Sequence, residues 1–382
     1  MFHISELNPD PRLFRQGRYL ISKIPNLHIK IIGMRYNNSI EKKENLEGNF
    51  YIERIWVPKI PLIKYIYYNI VCWIKYHKIS TDVIQANNVV TLPVATWMVK
   101  SKNIKLLFDN HEFFPGMLSA VFGKPIYYLF SALENYYVKK PDLIINTNTH
   151  HQKIFKKHYN VDSKLLLNSA SLSEVPPPPK PTLKQYSSNN PAIFIYVGAM
   201  LEGRGYEQLI DGIKILSKKE DIPPFKVQLV GDGPVFLKCK NMAKKLKLND
   251  YVEFTGKIPY ESAIKYMQNA DFGLIMFYPD PNNCSAVANK FYDYLGSGLP
   301  IIATNCNKEY QYQIKKYKIG FLCNVTKPER IAETFEKALT ISPERVLKMK
   351  SKARMLFVEE YNYDIASEDY VQFFKEINSK IM

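Results

Sequence analysis

Lys290 and Asp293 stand three residues apart in Asn289-Lys290-Phe291-Tyr292-Asp293-Tyr294-Leu295-Gly296-Ser297-Gly298-Leu299-Pro300, which reads as a helix feeding the buried strand Ile301-Ile302-Ala303-Thr304. At that spacing a cation and a carboxylate project from one helix face, where one can hold a phosphate and the other a sugar hydroxyl. A second cluster lies upstream, where the strand Ile193-Phe194-Ile195-Tyr196-Val197 meets the Gly-rich turn Gly198-Ala199-Met200-Leu201-Glu202-Gly203-Arg204-Gly205 and a helix start. Gly198 and Gly203 let the backbone approach a phosphate, the helix N-terminus offers amide donors, and Arg204 adds a bidentate cationic clamp. Gln228-Leu229-Val230-Gly231-Asp232-Gly233-Pro234 repeats the plan with Gly231 and Gly233. Alone this turn is unspecific, since many α/β turns use glycine for its backbone angles. It lacks the third glycine of a dinucleotide fingerprint, which argues against a nicotinamide enzyme.

A third group sits in Leu106-Leu107-Phe108-Asp109-Asn110-His111-Glu112-Phe113-Phe114-Pro115. Ligands of open α/β sheets lie outside the carboxyl ends of strands, so Asp109, His111 and Glu112 are expected to project toward a cleft. His111-Glu112 also opens a zinc-protease-like string, but Pro115 stands where the second histidine belongs, and His150-His151 lacks ligand spacing. We read no metal site and no cofactor.

The elements that must hold these residues alternate short apolar runs with helix-length segments. Strands are expected at 2–5, 28–33, 51–57, 82–86, 105–109, 142–147 and 164–168, then at 192–197, 226–231, 251–255, 272–276, 299–303 and 320–322. That rhythm means βαβ units and mostly parallel sheets. Between the two series, Val175-Pro176-Pro177-Pro178-Pro179-Lys180-Pro181 can be neither helix interior nor sheet centre, and reads as a semi-rigid linker. The expected layout is an α/β fold of two Rossmann-like doubly wound domains: 1–175, a linker at 176–190, and 191–360, followed by a helical segment 361–382. The pattern is helical from Pro343 to Met382.

The chain has 382 residues, enough for about two domains. Its net charge is +16, and residues 1–180 carry 24 basic against 13 acidic groups. Such a field draws nucleic acid, anionic lipid or phosphorylated small molecules. No RNP-type or zinc-knuckle pattern accompanies the many aromatics, so nucleic acid is not expected. Five scattered cysteines, Cys72, Cys239, Cys284, Cys306 and Cys323, contain no C-x-x-C pair and suit a reducing cytoplasm. The opening Met1-Phe2-His3-Ile4-Ser5 meets Glu6 and Asn8 at once, so no export signal is expected, and the longest apolar runs fall short of the roughly 20 residues of a membrane helix. In 61–78, Ile63, Ile66, Tyr67, Ile70, Val71 and Ile74 form one helical stripe flanked by Lys59, Lys64, Lys75 and Lys78, with Trp73 nearby. Packing on a sheet is the usual meaning of such a stripe, and contact with a membrane surface is the alternative. Tyr127-Tyr128-Leu129-Phe130 and Tyr136-Tyr137-Val138-Lys139-Lys140 add to the second meaning.

Taken together, the motifs resemble those of the retaining glycosyltransferases of family 4. The 289–300 stretch is similar to that family's N-K-hydrophobic-aromatic-Glu…Gly-x-Pro run, with Asp293 in place of Glu. The turn at 197–205 resembles V-G-x-hydrophobic-x-x-x-[RK]-G, although Ala199 stands where many members carry a further Arg. The pair Val230-Gly231-Asp232-Gly233-Pro234 and Val252-Glu253-Phe254-Thr255-Gly256-Lys257-Ile258 is similar to V-G-D-G-P…V-x-F-x-G-x-hydrophobic. Phe108-Asp109-Asn110-His111-Glu112 resembles [YF]-D-x-H-E, and Asn8-Pro9-Asp10-Pro11-Arg12 resembles the D-x-R opening. The resemblance implies a GT-B fold, two lobes facing a central cleft, with the terminal helix packed back on the first.

It further implies a diphosphate clamp of Arg204 and Lys290, a base contact through Lys257 and Ile258, and ribose binding by Asp293. It places His111 near the hydroxyls of the reacting sugar. Asp109 and Glu112 would organise that loop or meet the acceptor. Asp10 and Arg12 would face the cleft, though a turn and helix start account for them nearly as well. Where many members carry a second Glu, this chain has Ser285, so Ser285, Ala286 and neighbouring Asn side chains are expected to replace the carboxylate. The implied partners are a nucleotide sugar, a polyprenyl-diphosphate-linked glycan acceptor and the anionic inner face of the cytoplasmic membrane. Residue usage rich in Lys, Asn, Ile and Tyr associates the chain with bacterial surface polysaccharide assembly. A GT-B nucleotide-sugar epimerase and a non-catalytic partner subunit remain the alternatives.

Overall fold

A computed structural model describes residues 1–7, 10–100, 103–111, 114–115 and 122–379. Glu112 lies outside the described residues. Chain contacts divide the protein into two units, Met1–Leu166 with Ser367–Met382, and Leu167–Ala366.

The first unit carries β1 (Ile29–Arg35), β2 (Lys43–Glu47), β3 (Phe50–Trp56), β4 (Val83–Asn87), β5 (Lys105–Asn110), β6 (Leu143–Asn146) and β7 (Lys164–Leu165). The orders are β1-β3-β2 and β4-β5-β6-β7, and Phe2 joins them by parallel bridges to Ile32 and Ala86. The expected strand at 2–5 is thus a single-residue bridge. β2 went unread because Lys-Glu-Asn-Leu-Glu shows no apolar face, every residue being exposed or half-buried. It pairs antiparallel with β3 across Gly48-Asn49, where Gly48 has φ +53°. The remaining pairings of this unit are parallel.

The helix Ile63–Tyr76 reverses the usual meaning of its stripe. Its buried face is Tyr68, Asn69, Cys72 and Tyr76. The Tyr68 hydroxyl donates to Ile32 O at 2.6 Å, while Asn69 donates to Val90 O at 2.8 Å and accepts from Val94 N at 2.9 Å. These polar groups satisfy backbone that a buried face must satisfy anyway. Ile63, Ile66, Tyr67, Ile70, Trp73 and Ile74 are consequently exposed, Ile66 by 62%. Trp97 on the helix Leu92–Val99 and Tyr128, Leu129, Leu133 and Tyr136 on the helix Lys124–Tyr137 are exposed as well.

Glu134, on that last helix, is buried and accepts from the Tyr159 hydroxyl at 2.5 Å. Burial pushes its carboxyl up to about 7 despite that hydrogen bond. A raised carboxyl pKa favours folding while the group is protonated, so its contribution is full below 4.5 and is lost as pH rises through about 7. Glu134→Gln is therefore expected to remove about 3 kcal/mol of pH-dependence across that window, read by hydrogen exchange in the helices Lys124–Tyr137 and Thr149–Tyr159.

The second unit is one six-stranded parallel sheet, β10-β9-β8-β11-β12-β13. Its strands are β8 (Ala192–Val197), β9 (Phe225–Val230), β10 (Val252–Gly256), β11 (Phe272–Ile275), β12 (Ile301–Thr304) and β13 (Gly320–Cys323). Sequence order runs outward from β8 to β10, then returns to β11 on the other side of β8. That reversal is a topological switch point, the place where such sheets open a crevice at their carboxyl edge. In the core the Phe194 ring stacks on Phe335 at 4.3 Å between centroids.

The proline segment, expected as a semi-rigid linker, follows the start of the second unit at Leu167. Val175 is fully buried, and its carbonyl accepts from Arg354 Nη1 at 3.1 Å. Pro176 O accepts from Gln268 at 2.8 Å, so the start of the segment is tied to the second unit, while Pro177, Pro179 and Lys180 are exposed. The helical stretch after Pro343 is also interrupted. Buried Asn362 bonds Phe357 O, Val358 O and Ile365 N, which turns the chain after Pro343–Leu356 and before Tyr363–Ala366. The helix Glu368–Asn378 belongs to the first unit, where Tyr370 donates to Gln85 at 2.8 Å.

Candidate functional site

The loops that follow β8, β9, β10 and β11 meet at the carboxyl edge of the second sheet. Gly231 N–H donates to Gly256 O at 3.0 Å, Met200 N–H to Asp232 O at 3.0 Å, and Tyr278 N–H to Gly203 O at 2.9 Å. Gly231 has φ +141°, and a Cβ there would lie 2.0 Å from Gly198 O, so no other residue permits this contact. The glycine amides mostly serve the loops themselves: Gly198 donates to Val230 O at 2.9 Å and Gly233 to the Asp232 carboxylate at 2.7 Å. Their part is close approach rather than donation.

The helix Asn289–Gly296 is seated on the sheet by Tyr294. Gly273 leaves room for its ring, a Cβ there falling 2.6 Å from it. The hydroxyl accepts from Val197 N at 3.1 Å and lies 3.2 Å from Ile195 O and 3.1 Å from Leu274 O. Lys290 is thereby fixed with its ammonium 3.4 Å from the Tyr196 ring centroid and 3.2 Å from where a Gly198 Cβ would be. Arg204 lies 3.9 Å from the Phe277 ring centroid, and Lys290 faces the same ring at 5.2 Å. Two cations thus flank one aromatic face. Among the described residues no carboxylate lies within ion-pair distance of either. Burial first, and then the Arg204 charge, hold the Lys290 amine well below its usual range, with Asp293 opposing them.

The loop between β11 and that helix carries Ser285 and Ala286. The Ser285 hydroxyl lies 2.8 Å from Pro281 O and 3.1 Å from Asn282 O, so its proton serves the loop. Asn283 is the residue that reaches the cations, its Oδ1 being 3.5 Å from Arg204 Nη1. The Asn307 amide pins this loop by donating to Asn283 O at 2.9 Å and Ala286 O at 2.8 Å. Its Oδ1 meanwhile caps the helix Lys308–Tyr317, and the Tyr310 hydroxyl accepts from Ala288 N at 2.9 Å. Asp293, half-buried, accepts from the Tyr260 hydroxyl at 2.7 Å. Lys257 is exposed and Ile258 half-buried, directly after Gly256 and so beside Gly231.

In the first unit, Asp109 is fully buried rather than directed outward. Arg12 donates to it twice, at 2.7 and 3.2 Å, Gln16 donates at 2.5 Å, and His111 Nε2 lies 2.8 Å away. Burial alone would raise the Asp109 carboxyl, but Arg12 and His111 outweigh it and hold the group well below the usual range. Arg12, also bonded to Leu166 O at 3.1 Å, is buried. Hydrogen bonding to an ionised Asp109 puts a proton on His111 Nε2, so that in the neutral ring Nδ1 is the acceptor. Asp10 caps the helix Pro11–Lys23 and pairs with His3 at 3.0 Å. Burial opposes its ionisation, yet the His3 hydrogen bond brings its carboxyl down to about 2. The His3 and His111 rings lie 5.8 Å apart.

Residues 182–355 match the family model described as glycosyl transferases group 1. That match covers 174 of the 382 residues, all of them in the second unit. Over 174 residues the chain is 26% identical to an uncharacterized glycosyltransferase of Haemophilus influenzae, a match covering 46% of each chain. It thus spans less than half the length of that relative. Sucrose-phosphate synthase from Thermosynechococcus elongatus superposes with TM-score 0.77 at 15% identity over 99% of both chains. Anabaena HepE in complex with UDP gives 0.68 at 14%, covering 98% of this chain and 99% of that one. These likenesses establish the GT-B fold, an α/β architecture with two units built on parallel sheets.

Sequence reasoning missed Tyr196, Phe277, Asn307, Tyr310 and Tyr260 around the second unit's site, and Gln16 and His3 in the first; Asn283 is one of the Asn side chains it did expect in this loop. Asn307 had a readable signal, an N-cap type standing one residue before Lys308-Glu309 after a strand. The aromatics had none, because each reads as core.

Proposed function

We propose that this protein is a group 1 glycosyltransferase that moves a sugar, with retention, from a nucleoside-diphosphate sugar to a lipid-linked sugar acceptor in bacterial surface polysaccharide assembly. The observation that carries the reading is the pair Lys290 and Arg204, two cations on one aromatic face with no carboxylate partner among the described residues, set at the carboxyl edge beside Gly198. A departing diphosphate supplies the charge they lack. Their fixed position stabilises negative charge as it develops on the leaving group, so the clamp acts without a metal ion. Lys257 and Ile258 would hold the base, and Asp293, oriented by Tyr260, would take the ribose hydroxyls. His111 Nδ1 would accept from a hydroxyl of the reacting sugar. The acceptor hydroxyl attacks the face the diphosphate leaves, and a phosphate oxygen takes its proton.

The test is mass spectrometry of products after offering UDP-, GDP- and dTDP-sugars with a polyprenyl-diphosphate sugar. Transfer with an α-to-α or β-to-β outcome is expected. Conversion of the donor without acceptor would replace this reading with an epimerase, and no nucleotide binding at all would leave a partner subunit.

For the acceptor's location, the support is the outward stripe of Ile63–Tyr76 with Lys59, Lys75 and Lys78 exposed around it. Among the described residues no helix is long and apolar enough to cross a membrane. The stripe suits the interface of an anionic bilayer. Replacing Ile66, Ile70 and Trp73 each by serine is expected to weaken vesicle binding by about tenfold per side chain, and salt to weaken it further. Equal cosedimentation of variant and wild type with anionic vesicles would remove the membrane from the proposal.

A further inference from the structure

We propose that His3 is a specificity-determining residue, its Nδ1 binding one hydroxyl of a sugar whose neighbouring hydroxyl is bound by His111 Nδ1. Assigning that sugar to the nucleotide donor rests on the reading above, whereas the hydroxyl site does not. Phe2 N–H donates to Gln85 O at 2.8 Å and His3 N–H to Ile32 O at 2.9 Å, so this segment runs between β1 and β4. Residues 29–35 follow it on one side of the sheet and residues 83–87 on the other, which makes it the switch point of the first unit. Ligands of parallel sheets sit at such a point, outside the carboxyl ends. His3 directly follows the Phe2 bridge and so stands on that edge.

The two histidines are held alike. His3 Nε2 lies 3.0 Å from Asp10 Oδ2, His111 Nε2 lies 2.8 Å from Asp109 Oδ2, and the ring centroids are 5.8 Å apart. Each carboxylate claims an Nε2 proton, so each ring keeps its Nδ1 for another partner. His3 is only 5% exposed, and its Nδ1 is buried with no hydrogen-bond partner among the described residues. A buried polar atom left in that state costs stability, and a hydroxyl brought by a ligand removes the cost. The hydroxyl suits either protonation state, since it donates to a bare Nδ1 and accepts from a protonated one. Asp10 and Asp109 set negative charge behind the two rings, which opposes a phosphate there and favours a neutral polyhydroxyl. Two rings at this separation can each meet one of two neighbouring hydroxyls on a single sugar.

Affinities of the full chain for UDP-glucose, UDP-galactose, GDP-mannose and dTDP-glucose would be measured by calorimetry beside those for UDP, GDP and dTDP. In His3→Gln the side-chain amide reaches the Nε2 position and can keep the bond to Asp10, but nothing stands at Nδ1. This variant is expected to bind at least one nucleotide sugar about tenfold more weakly, the scale of one hydrogen bond, with the matching diphosphate unaffected. Equal losses for sugar and diphosphate, or no loss, would overturn the assignment. A second readout needs no substitution at the site and holds even where His3→Gln folds poorly. In wild type with isotope-labelled histidine nitrogens, a bound nucleotide sugar should shift the Nδ1 resonances of both rings and its diphosphate neither, and a His3 Nδ1 left unmoved would overturn the assignment. Failure of every diphosphate to bind would instead count against the nucleotide reading. The same spectra with methyl glucoside, galactoside and mannoside would then decide the hydroxyl site, a shift at both rings supporting it and none overturning it.

Discussion

Lys290→Ala is expected to lower sugar transfer by roughly two to three orders of magnitude, the loss that follows removal of one preorganised charge-stabilising donor. The same change is not expected to harm the fold. In the ligand-free protein the amine is buried on Tyr196, faces the Arg204 charge and has no carboxylate in ion-pair distance among the described residues, a costly arrangement kept for its ligand. Lys290→Met, which keeps the contact with the ring, should therefore raise the stability of the second unit by about 1–2 kcal/mol while activity falls. A drop in melting temperature equal to that of an ordinary core truncation would show that Lys290 is structural.

The depressed amine also makes nucleotide binding proton-linked. A bound diphosphate raises the Lys290 pKa from its lowered value toward 10.5, so binding takes up a proton between those two values. Affinity for UDP should accordingly fall as pH rises through that window, above about pH 7.5, where the nucleotide's own phosphate proton with pKa near 6 is gone. Calorimetry in buffers of different ionisation heat should show the uptake. Lys290→Arg, whose charge does not titrate, should abolish it.

The second large effect belongs to Asp109. Asp109→Ala removes the carboxylate to which buried Arg12 donates twice and is expected to cost the first unit about 3–5 kcal/mol at neutral pH. Because the folded pKa is depressed, the stabilisation is complete above the unfolded value of about 3.9 and is lost as pH falls from there toward the folded one. The gap between wild type and variant should therefore narrow below about pH 4. Hydrogen exchange in β5 is the suitable measure, since two units need not unfold as one. Asp109→Asn separates the chemical part from the structural one. Its amide can donate to His111 Nε2, moving the ring proton to Nδ1 and removing the acceptor there. Measured where the first unit is still folded, transfer should fall about a hundredfold with kcat affected more than KM. An Asp109→Asn enzyme as active as wild type would confine His111 to a packing role.

What could be read without coordinates follows from how local each signal is. The parallel sheets were legible in apolar runs such as Ile193–Val197 and Ile301–Thr304, because a strand buried on both faces must be apolar throughout. The turn glycines were legible because backbone contacts such as Gly231 on Gly198 admit no side chain. Lys290 and Asp293 were legible as neighbours because helical spacing alone puts them on one face.

Direction and pairing were not legible. The stripe of Ile63–Tyr76 could not declare which way it faces, since an apolar helix face satisfies a sheet and a lipid surface equally; the hydrogen bonds of Tyr68 and Asn69 decided it. Asp109 reads in sequence as an end-of-strand carboxylate, and only the arrival of Arg12 and Gln16 from a helix some 90 positions earlier turned it inward. Of the loop groups expected to replace a carboxylate, Ser285 is claimed by the carbonyls of Pro281 and Asn282, and Asn283 is the side chain that reaches Arg204. Residue type and short-range periodicity thus settled the elements and the cations of this chain. Which polar atoms remain available to a ligand is fixed by long-range partners, because every buried donor and acceptor must first be satisfied by whatever the fold brings to it.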